Sequence, residues 1–453
     1  MENLAEKLNK EPREVRERLK FIAHLAKEFN FPVYVVGGFV RDLILDIDDF
    51  DLDIVVEGDA IGLARELSLR LNADFIKHKR FGTATVVTQD AVKLDLATAR
   101  EEDYEQPASL PRVRSGSIRD DLKRRDFSIN AMAVDISEGG FGRLVDFFKG
   151  REDLRNKRLR VLHNKSFIDD PTRILRAIRF EQRFDFKIDR PTLRLIQEAR
   201  KKEMLEKVHP HRLRDELILI LKEPDPTKGI RRISKLYGFK FLQRDLHIDS
   251  QTFILLKQIN GIYAWFKDNF SHKHRPKVER WLLYLMVLLE NLDEHRLGLT
   301  LREFAFHKND LKKIISFKAD AAKAIAKLKG ASSPSSVQRI LSWLSYEVLL
   351  LLLLKTEDEE LKKKIRDFLF VYSQIRTHLS GDELKELGML PGPDFKKILK
   401  QLLYAKLDGK FTTKEEELCY LKTLISRIDT STTLSINPEQ TPGFSLGCVE
   451  RVD

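Results

Sequence analysis

Cysteine is almost missing from this chain of 453 residues, in which Cys419 and Cys448 are the only two. That excludes a disulfide framework and a zinc site built from cysteines, and the expected compartment is reducing and cytoplasmic. Long apolar runs are missing too. The run Val348 to Leu354 in the C-terminal half falls far short of the roughly 20 residues that a bilayer-spanning helix needs, so it reads as a buried helix. The stretch Met1 to Arg18 is charged and lacks the apolar segment of a secretory signal. No fixed-period repeat stands out, which argues against a solenoid. Neither a membrane nor a protein partner is expected.

What is present is charge. Lys and Arg number 81 against 70 Asp and Glu, a formal excess of +11. Such an excess favours a polyanionic partner, and nucleic acid is the commonest, although a basic protein without one has the same composition. Hydrophobic residues make up 42% of the chain, enough for a substantial core, and the length suits roughly two to four domains.

To about Asp153 the patterning is mixed. Helical spacing over Glu14 to Phe29 leads into a β-rich run, Pro32 to Val36, that ends at Gly37-Gly38. A short helix over Phe39 to Leu45, a strand over Asp51 to Val56 and a helix over Ala60 to Leu71 follow. Further strand-like pieces lie at Asp74 to Phe75, Ala84 to Thr88 and Val92 to Leu96. From Pro171 to Ile428 helical patterns dominate, and from Asp429 onward a Ser/Thr/Pro/Gly-rich stretch reads as a poorly ordered tail.

Three local constellations bear on chemistry. In Gly37-Gly38-Phe39-Val40-Arg41-Asp42 a double glycine stands between strand and helix. There the backbone can approach a phosphate, helix amides can point at it and Arg41 can clamp it, although a plain tight turn fits the glycines as well. Asp51 and Asp53 follow; at i and i+2 of a strand they share one face, where two carboxylates repel unless a cation lies between them. Magnesium suits such a pair, and an acidic loop is the alternative, since Asp46, Asp48 and Asp49 lie just upstream. Asp95 sits on a neighbouring strand and could be a third carboxylate, but an ordinary strand-end aspartate is the preferred reading. The second constellation, Arg124-Arg125-Asp126-Phe127 through Asn130, sets polar groups beside core residues. Arg125, Asp126 and Asn130 could hold a triphosphate and a ribose. The third is Asp169-Asp170-Pro171-Thr172-Arg173 with Arg176, Arg179 and Arg183. An aspartate there should cap a helix whose first turn holds the proline. The four arginines share about a third of the helix circumference. No acids are interspersed on that stripe, so an unpaired face that binds an anion is expected.

Taken in order, Gly-Gly-x-Val-Arg-Asp, Asp-x-Asp, Arg-Arg-Asp-Phe-x-x-Asn and Asp-Pro-x-Arg-x-x-Arg-x-x-Arg-Phe resemble the class II tRNA nucleotidyltransferases and bacterial poly(A) polymerases. The motifs span residues 33 to about 220, and Gly388 to Pro393 with Leu407 to Gly409 is similar to the C-terminal region of that family. The resemblance implies an α+β, polymerase-β-like nucleotidyltransferase head (1–153), then an all-α neck (154–222), body (223–375) and tail (376–430), with 431–453 poorly ordered. It implies that Asp51 and Asp53 are catalytic and hold two magnesium ions, and that Gly38 and Arg41 meet the phosphates of the nucleotide. Arg125 would bind near ribose and triphosphate, with Asp126 and Asn130 beside it. Asp170 and Arg173 would pair with the Watson–Crick edge of the incoming base, while Arg176 and Arg179 back that helix and help to hold the nucleotide. Where the family often has glutamate before the templating aspartate, this chain has Asp169. Arg212 and Glu216 resemble a helix-bracing motif, with His211 in place of a short hydroxylated residue.

Within the family, members that add only CC tend to lack a segment that is full length here, Ala99 to Asp120. The strings Ala97 to Arg100 and Pro111 to Val113 look most like A-adding or poly(A)-type members. Addition of the terminal A from ATP to tRNA, gripped by its acceptor and TΨC arms, is therefore expected. Full CCA addition from CTP and ATP is the runner-up, and poly(A) synthesis the further alternative. Two other classes fit less well. A silent RNA-binding relative would not need Asp51 and Asp53, and an enzyme for small molecules would not need the long basic helical remainder.

Overall fold

The computed structural model describes residues 3–48, 52–90, 92–270, 276–386 and 392–429. Two compact units divide the chain: Met1–His247 with Arg302–Ala305, and Ile248–Leu301 with Phe306–Asp453.

The first unit is built on a seven-stranded sheet. Its strands are β1 (Val33–Val36), β2 (Leu52–Val56), β3 (Asp74–His78), β4 (Thr83–Val87), β5 (Lys93–Thr98), β8 (Ala133–Asp135) and β9 (Leu144–Val145), in the order β3-β4-β5-β2-β1-β8-β9. A separate antiparallel pair, β6 (Arg100–Asp103) and β7 (Arg112–Ser115), forms a hairpin. Every residue of β1 is buried, as a central strand covered on both faces requires. In β2, Leu52, Ile54, Val55 and Val56 are buried and Asp53 alone is exposed. An apolar strand with one projecting carboxylate has no packing reason for that carboxylate. β2 and β5 run parallel with Asp53 in register with Asp95, while the other pairings of this sheet are antiparallel. Tyr34, Val36, Val55, Ala99, Ile118, Leu122, Ala131 and Ala133 make a core cluster that ties the hairpin root to the sheet. The helix Ala60–Leu71 buries Leu63, Ala64 and Leu67; Asp59 caps it by accepting from the Gly62 amide at 3.0 Å, and left-handed Asn72 ends it.

The helices Arg173–Arg183, Arg190–Lys201, Pro210–Lys222 and Pro226–Leu236 complete this unit, so the sheet and the neck-like helices belong to one compact body. As expected, an aspartate caps the entrance: extended Asp170 accepts from the Thr172 amide at 3.1 Å and its hydroxyl at 2.6 Å, closing the turn at Pro171-Thr172 that leads into the helix Arg173–Arg183. That local turn holds Asp170 at the helix entrance rather than inside it.

The second unit is helical. Arg280–Leu289 and Tyr346–Lys355 are apolar on all sides and buried, as core helices should be. A separate cluster of Leu379, Leu384, Ile398, Leu402, Ala405, Phe411 and Leu421 organises the last three helices. Among the described residues no single helix is long and apolar enough to cross a membrane; Pro334–Leu341 with Tyr346–Lys355 passes only as a pair bent by 113°. The tail expectation for residues 431–453 falls outside the described residues, as does most of the Gly388 to Pro393 stretch.

Candidate active site

One cavity of about 1050 Å³ gathers the predicted residues. Gly38, Arg41, Asp53, Arg125, Asp126, Asn130, Asp170, Arg173, Arg176 and Arg179 all line it. Asp51, the remaining one, lies outside the described residues.

At one end Asp53 projects from β2. Asp95, its register partner on β5, lines the same cavity, and the Thr85 hydroxyl on β4 donates to its carboxylate. Register partners on parallel strands share a face, so Asp95 stands beside Asp53 rather than at an unrelated strand end. Among the described residues no group of three or more His, Cys, Asp or Glu forms a metal cluster. The pair presents the hard oxygen donors that magnesium takes. Gly37 explains how the Arg125 guanidinium comes close to Asp53. Its φ is +69°, and a Cβ there would lie 2.5 Å from Arg125 Nη1 and 3.9 Å from Asp53 Oδ2. The missing side chain is therefore the space that the Arg125 guanidinium occupies beside Asp53. Behind it, fully buried Asp121 accepts from Arg125 and from Arg124. Burial alone would raise the Asp121 carboxyl, but Arg125 and Arg124 outweigh it and hold it below the ordinary carboxylate range.

At the other end Asp170 Oδ1 accepts from Thr172 and from Arg212 Nη2 at 2.8 Å. Arg173 donates to Ser166 Oγ at 2.9 Å and to the Arg124 carbonyl at 2.7 Å, and is nearly buried. Both side chains are thus fixed by protein on one side, and a guanidinium has further N–H donors to give.

A further polar chain lines the same cavity. Arg41 donates to both oxygens of Asp42 and to Asn130 Oδ1, and its guanidinium stacks 4.6 Å from the Phe184 ring centre. Asn130 donates to Asp126 Oδ1 at 3.0 Å, and Arg176 donates to Asp126 Oδ2 and reaches Glu216 at 3.1 Å. Each nitrogen of the Arg41 guanidinium donates once to protein, which fixes it in the cavity wall with two of its five N–H groups to spare. Both oxygens of Asp126 are engaged, which makes it a hub of that wall. One expectation is corrected. The arginine stripe is not an unpaired face over its first turns, because Arg176 finds Asp126 and Glu216 on other elements. A search for acids at i±4 sees only the helix itself.

Burial would raise the Asp126 carboxyl, but Arg176 and Asn130 reverse that and hold it at about 2. A depressed folded value stabilises the fold above the ordinary aspartate range and loses that contribution as pH falls from about 4 towards 2. Asp126→Asn should leave the Arg176 charge half-paired and cost roughly 3 kcal/mol in urea denaturation at pH 7. The gap to wild type should narrow as the pH is lowered through that window. A gap that stays constant with pH would show that the carboxylate charge contributes nothing.

The β6-β7 hairpin falls within the Ala99 to Asp120 segment and supplies Arg100, Glu102, Tyr104 and Pro111 to the cavity. Glu102 accepts from Arg100, Arg124 and the Tyr104 hydroxyl. Sequence reasoning marked this segment for its length and did not find Glu102 as its anchor; alternation in so short a hairpin is a weak signal.

Two family models match the chain: the poly(A) polymerase head domain over residues 33–160, and the probable RNA and SrmB-binding site of polymerase A over 185–249. An A-adding tRNA nucleotidyltransferase of Halalkalibacterium halodurans is 31% identical over 406 residues, covering 89% of this chain and 91% of that protein. The chain belongs to the tRNA nucleotidyltransferase and poly(A) polymerase family. Another A-adding tRNA nucleotidyltransferase, from Geobacter sulfurreducens, is 38% identical over 413 residues, 90% of this chain but 47% of that protein, so the chain spans about half the length of that relative. The solved Thermotoga maritima CCA-adding enzyme in complex with tRNA superimposes with a TM-score of 0.69 at 32% identity, over 94% of this chain and 99% of that one.

Proposed function

We propose that this chain adds the terminal A, from ATP, to tRNA ending in CC. One observation carries the reading: Asp53 with Asp95, Arg125, and Asp170 with Arg173 line a single cavity. Asp53 and Asp95, with Asp51, would hold two magnesium ions, which when bound supply activation of the RNA 3′-hydroxyl and stabilisation of the leaving pyrophosphate. Arg125, held by Asp121 and admitted by Gly37, places positive charge where the triphosphate must lie. Asp170 offers an acceptor to the exocyclic amine of A or C, and Arg173 a donor to the adjacent ring nitrogen. That pair does not distinguish A from C; the hairpin with Arg100, Tyr104 and Pro111 bounds the pocket and makes the choice. The names of the Geobacter and Halalkalibacterium relatives favour A. The likeness to a CCA-adding enzyme keeps full CCA addition from CTP and ATP as the second reading. The acceptor and TΨC arms of tRNA are the partner surface, and the cytoplasm, where tRNA is matured, is the compartment.

The test uses labelled ATP or CTP with tRNA trimmed to end before CCA, after C, or after CC. ATP should go only onto the tRNA that ends in CC. Extension of the fully trimmed tRNA with CTP and then ATP would make the protein a CCA-adding enzyme. Long runs of A on unrelated RNAs would make it a poly(A) polymerase.

A further inference from the structure

The arm that precedes the first long helix lies ahead of every motif, yet it is built into the sheet. Leu4 and Leu8 are buried. The Leu4 amide donates to the Gly142 carbonyl at 2.7 Å, and Asn3 bridges to Arg143, so the arm is pinned to the turn between β8 and β9. Gly142 has φ +87°, and a Cβ there would lie 2.3 Å from Asn3 Oδ1; only glycine lets the arm lie so close. On this base stands the short helix Ala5–Leu8, and its Lys7 reaches across to a different element. Lys7 Nζ donates to the carbonyls of Leu43 and Ile44, each at 3.1 Å, and to Asp46 Oδ1 at 2.6 Å. Asp46 is open to solvent, but the Lys7 side chain is 31% exposed and its carbonyl bonds are part-buried, so the grip does not rest on the ion pair alone.

Those carbonyls belong to the last turn of the helix Gly38–Leu45, whose first residue lines the active-site cavity. The last turn of a helix leaves carbonyls without partners and carries the negative end of its dipole, and this one has no basic residue of its own. Left-handed Asp46, with φ +55°, ends the helix, and the chain then turns towards β2, which begins at Leu52 and presents Asp53 to the cavity. A cap supplied locally would satisfy the helix end. A cap supplied from 39 residues upstream, by an arm fastened to β8 and β9, also fixes where that end stands relative to the sheet. We infer that Lys7 is a positioning residue for the metal-holding aspartates, acting through the end of the helix Gly38–Leu45 and the turn at Asp46. The inference rests on the proposed role of Asp51 and Asp53 as magnesium ligands; the arm and its three bonds do not.

The test compares Lys7→Met, which keeps the stem and removes the ammonium, with Lys7→Arg, which keeps a cation. Asp46→Asn removes only the exposed ion pair and leaves a residue that tolerates the left-handed turn. Mn2+ is titrated into each full-length protein and the free ion is read by electron paramagnetic resonance, with Asp53→Ala marking ions held elsewhere. The kcat, the KM for tRNA ending in CC, and thermal unfolding are measured beside it. Lys7→Met should weaken the Asp53-dependent Mn2+ binding about tenfold and lower kcat about tenfold, the lower end of what loss of a support behind a metal ligand costs, with KM for tRNA unchanged. Lys7→Arg should return most of both. Asp46→Asn should weaken Mn2+ binding about threefold, within what an exposed ion pair supplies. Lys7→Met with a lowered unfolding temperature but wild-type Mn2+ affinity and kcat would make Lys7 a cap for the fold only and overturn the inference. Should Lys7→Met fail to fold, Asp46→Asn decides, and wild-type Mn2+ affinity in that variant overturns it. If wild-type protein shows no Mn2+ binding that Asp53→Ala removes, the proposed metal site falls and takes the inference with it; binding that is present but indifferent to Lys7 overturns the inference alone.

Discussion

Asp53→Ala should lower nucleotide addition by roughly a thousandfold or more, with the fold and tRNA affinity retained. Asp53 is the one exposed residue of an otherwise buried strand, so removing its carboxylate disturbs no packing. It would leave Asp95 without its register partner and Arg125 without the neighbouring charge across the Gly37 gap. RNA affinity comes from contacts to phosphates over a wide basic surface, which one carboxylate at the reacting end does not supply. Single-turnover addition of labelled ATP, read beside tRNA binding and thermal unfolding, separates these effects. More than a tenth of wild-type turnover surviving would remove Asp53 from the chemistry.

Base choice should change by one to two orders of magnitude in Asp170→Ala. U and G present a carbonyl where A and C carry an amine, so against Asp170 two acceptors oppose each other. An unsatisfied buried polar group costs about 1–3 kcal/mol, which is the discrimination lost when the acceptor is removed. Wild-type protein should therefore use UTP and GTP poorly, and the variant should use all four nucleotides with similar low efficiency. Because Arg212 and Thr172 also bond to Asp170, the variant should be compared with Arg212→Gln, which loosens the carboxylate without deleting it and should lower turnover more than it alters choice. An Asp170→Ala protein that kept the wild-type preference for ATP over UTP would place base reading elsewhere.

Local elements were legible in the sequence wherever periodicity and chemistry agreed. The run Pro32 to Val36 before the glycines became β1, the helical spacing of Glu14 to Phe29 became the helix Arg13–Glu28, and Ala60 to Leu71 kept its bounds. Ile174, Leu175 and Ile178 are fully buried, as the helical wheel required. What could not be read were relations between distant segments. That Asp95 stands across from Asp53 could not be read, because strand register is a tertiary fact. Arg176 looked unpaired because Asp126 lies 50 residues upstream and Glu216 lies 40 residues downstream. Arg41 and Asp126 carry residue types suited to nucleotide contact, and the bonds that fix them, to Asn130 and Arg176, join segments that the sequence alone does not relate.

Arg125 and Asp126 are adjacent in the chain and face opposite duties. One is admitted by Gly37 to the reacting end, and the other grips Arg176 on the helix that begins with Arg173. A single peptide bond therefore ties the wall beside Asp53 to the helix that carries Arg173, so a shift of that helix is felt at the far end of the cavity.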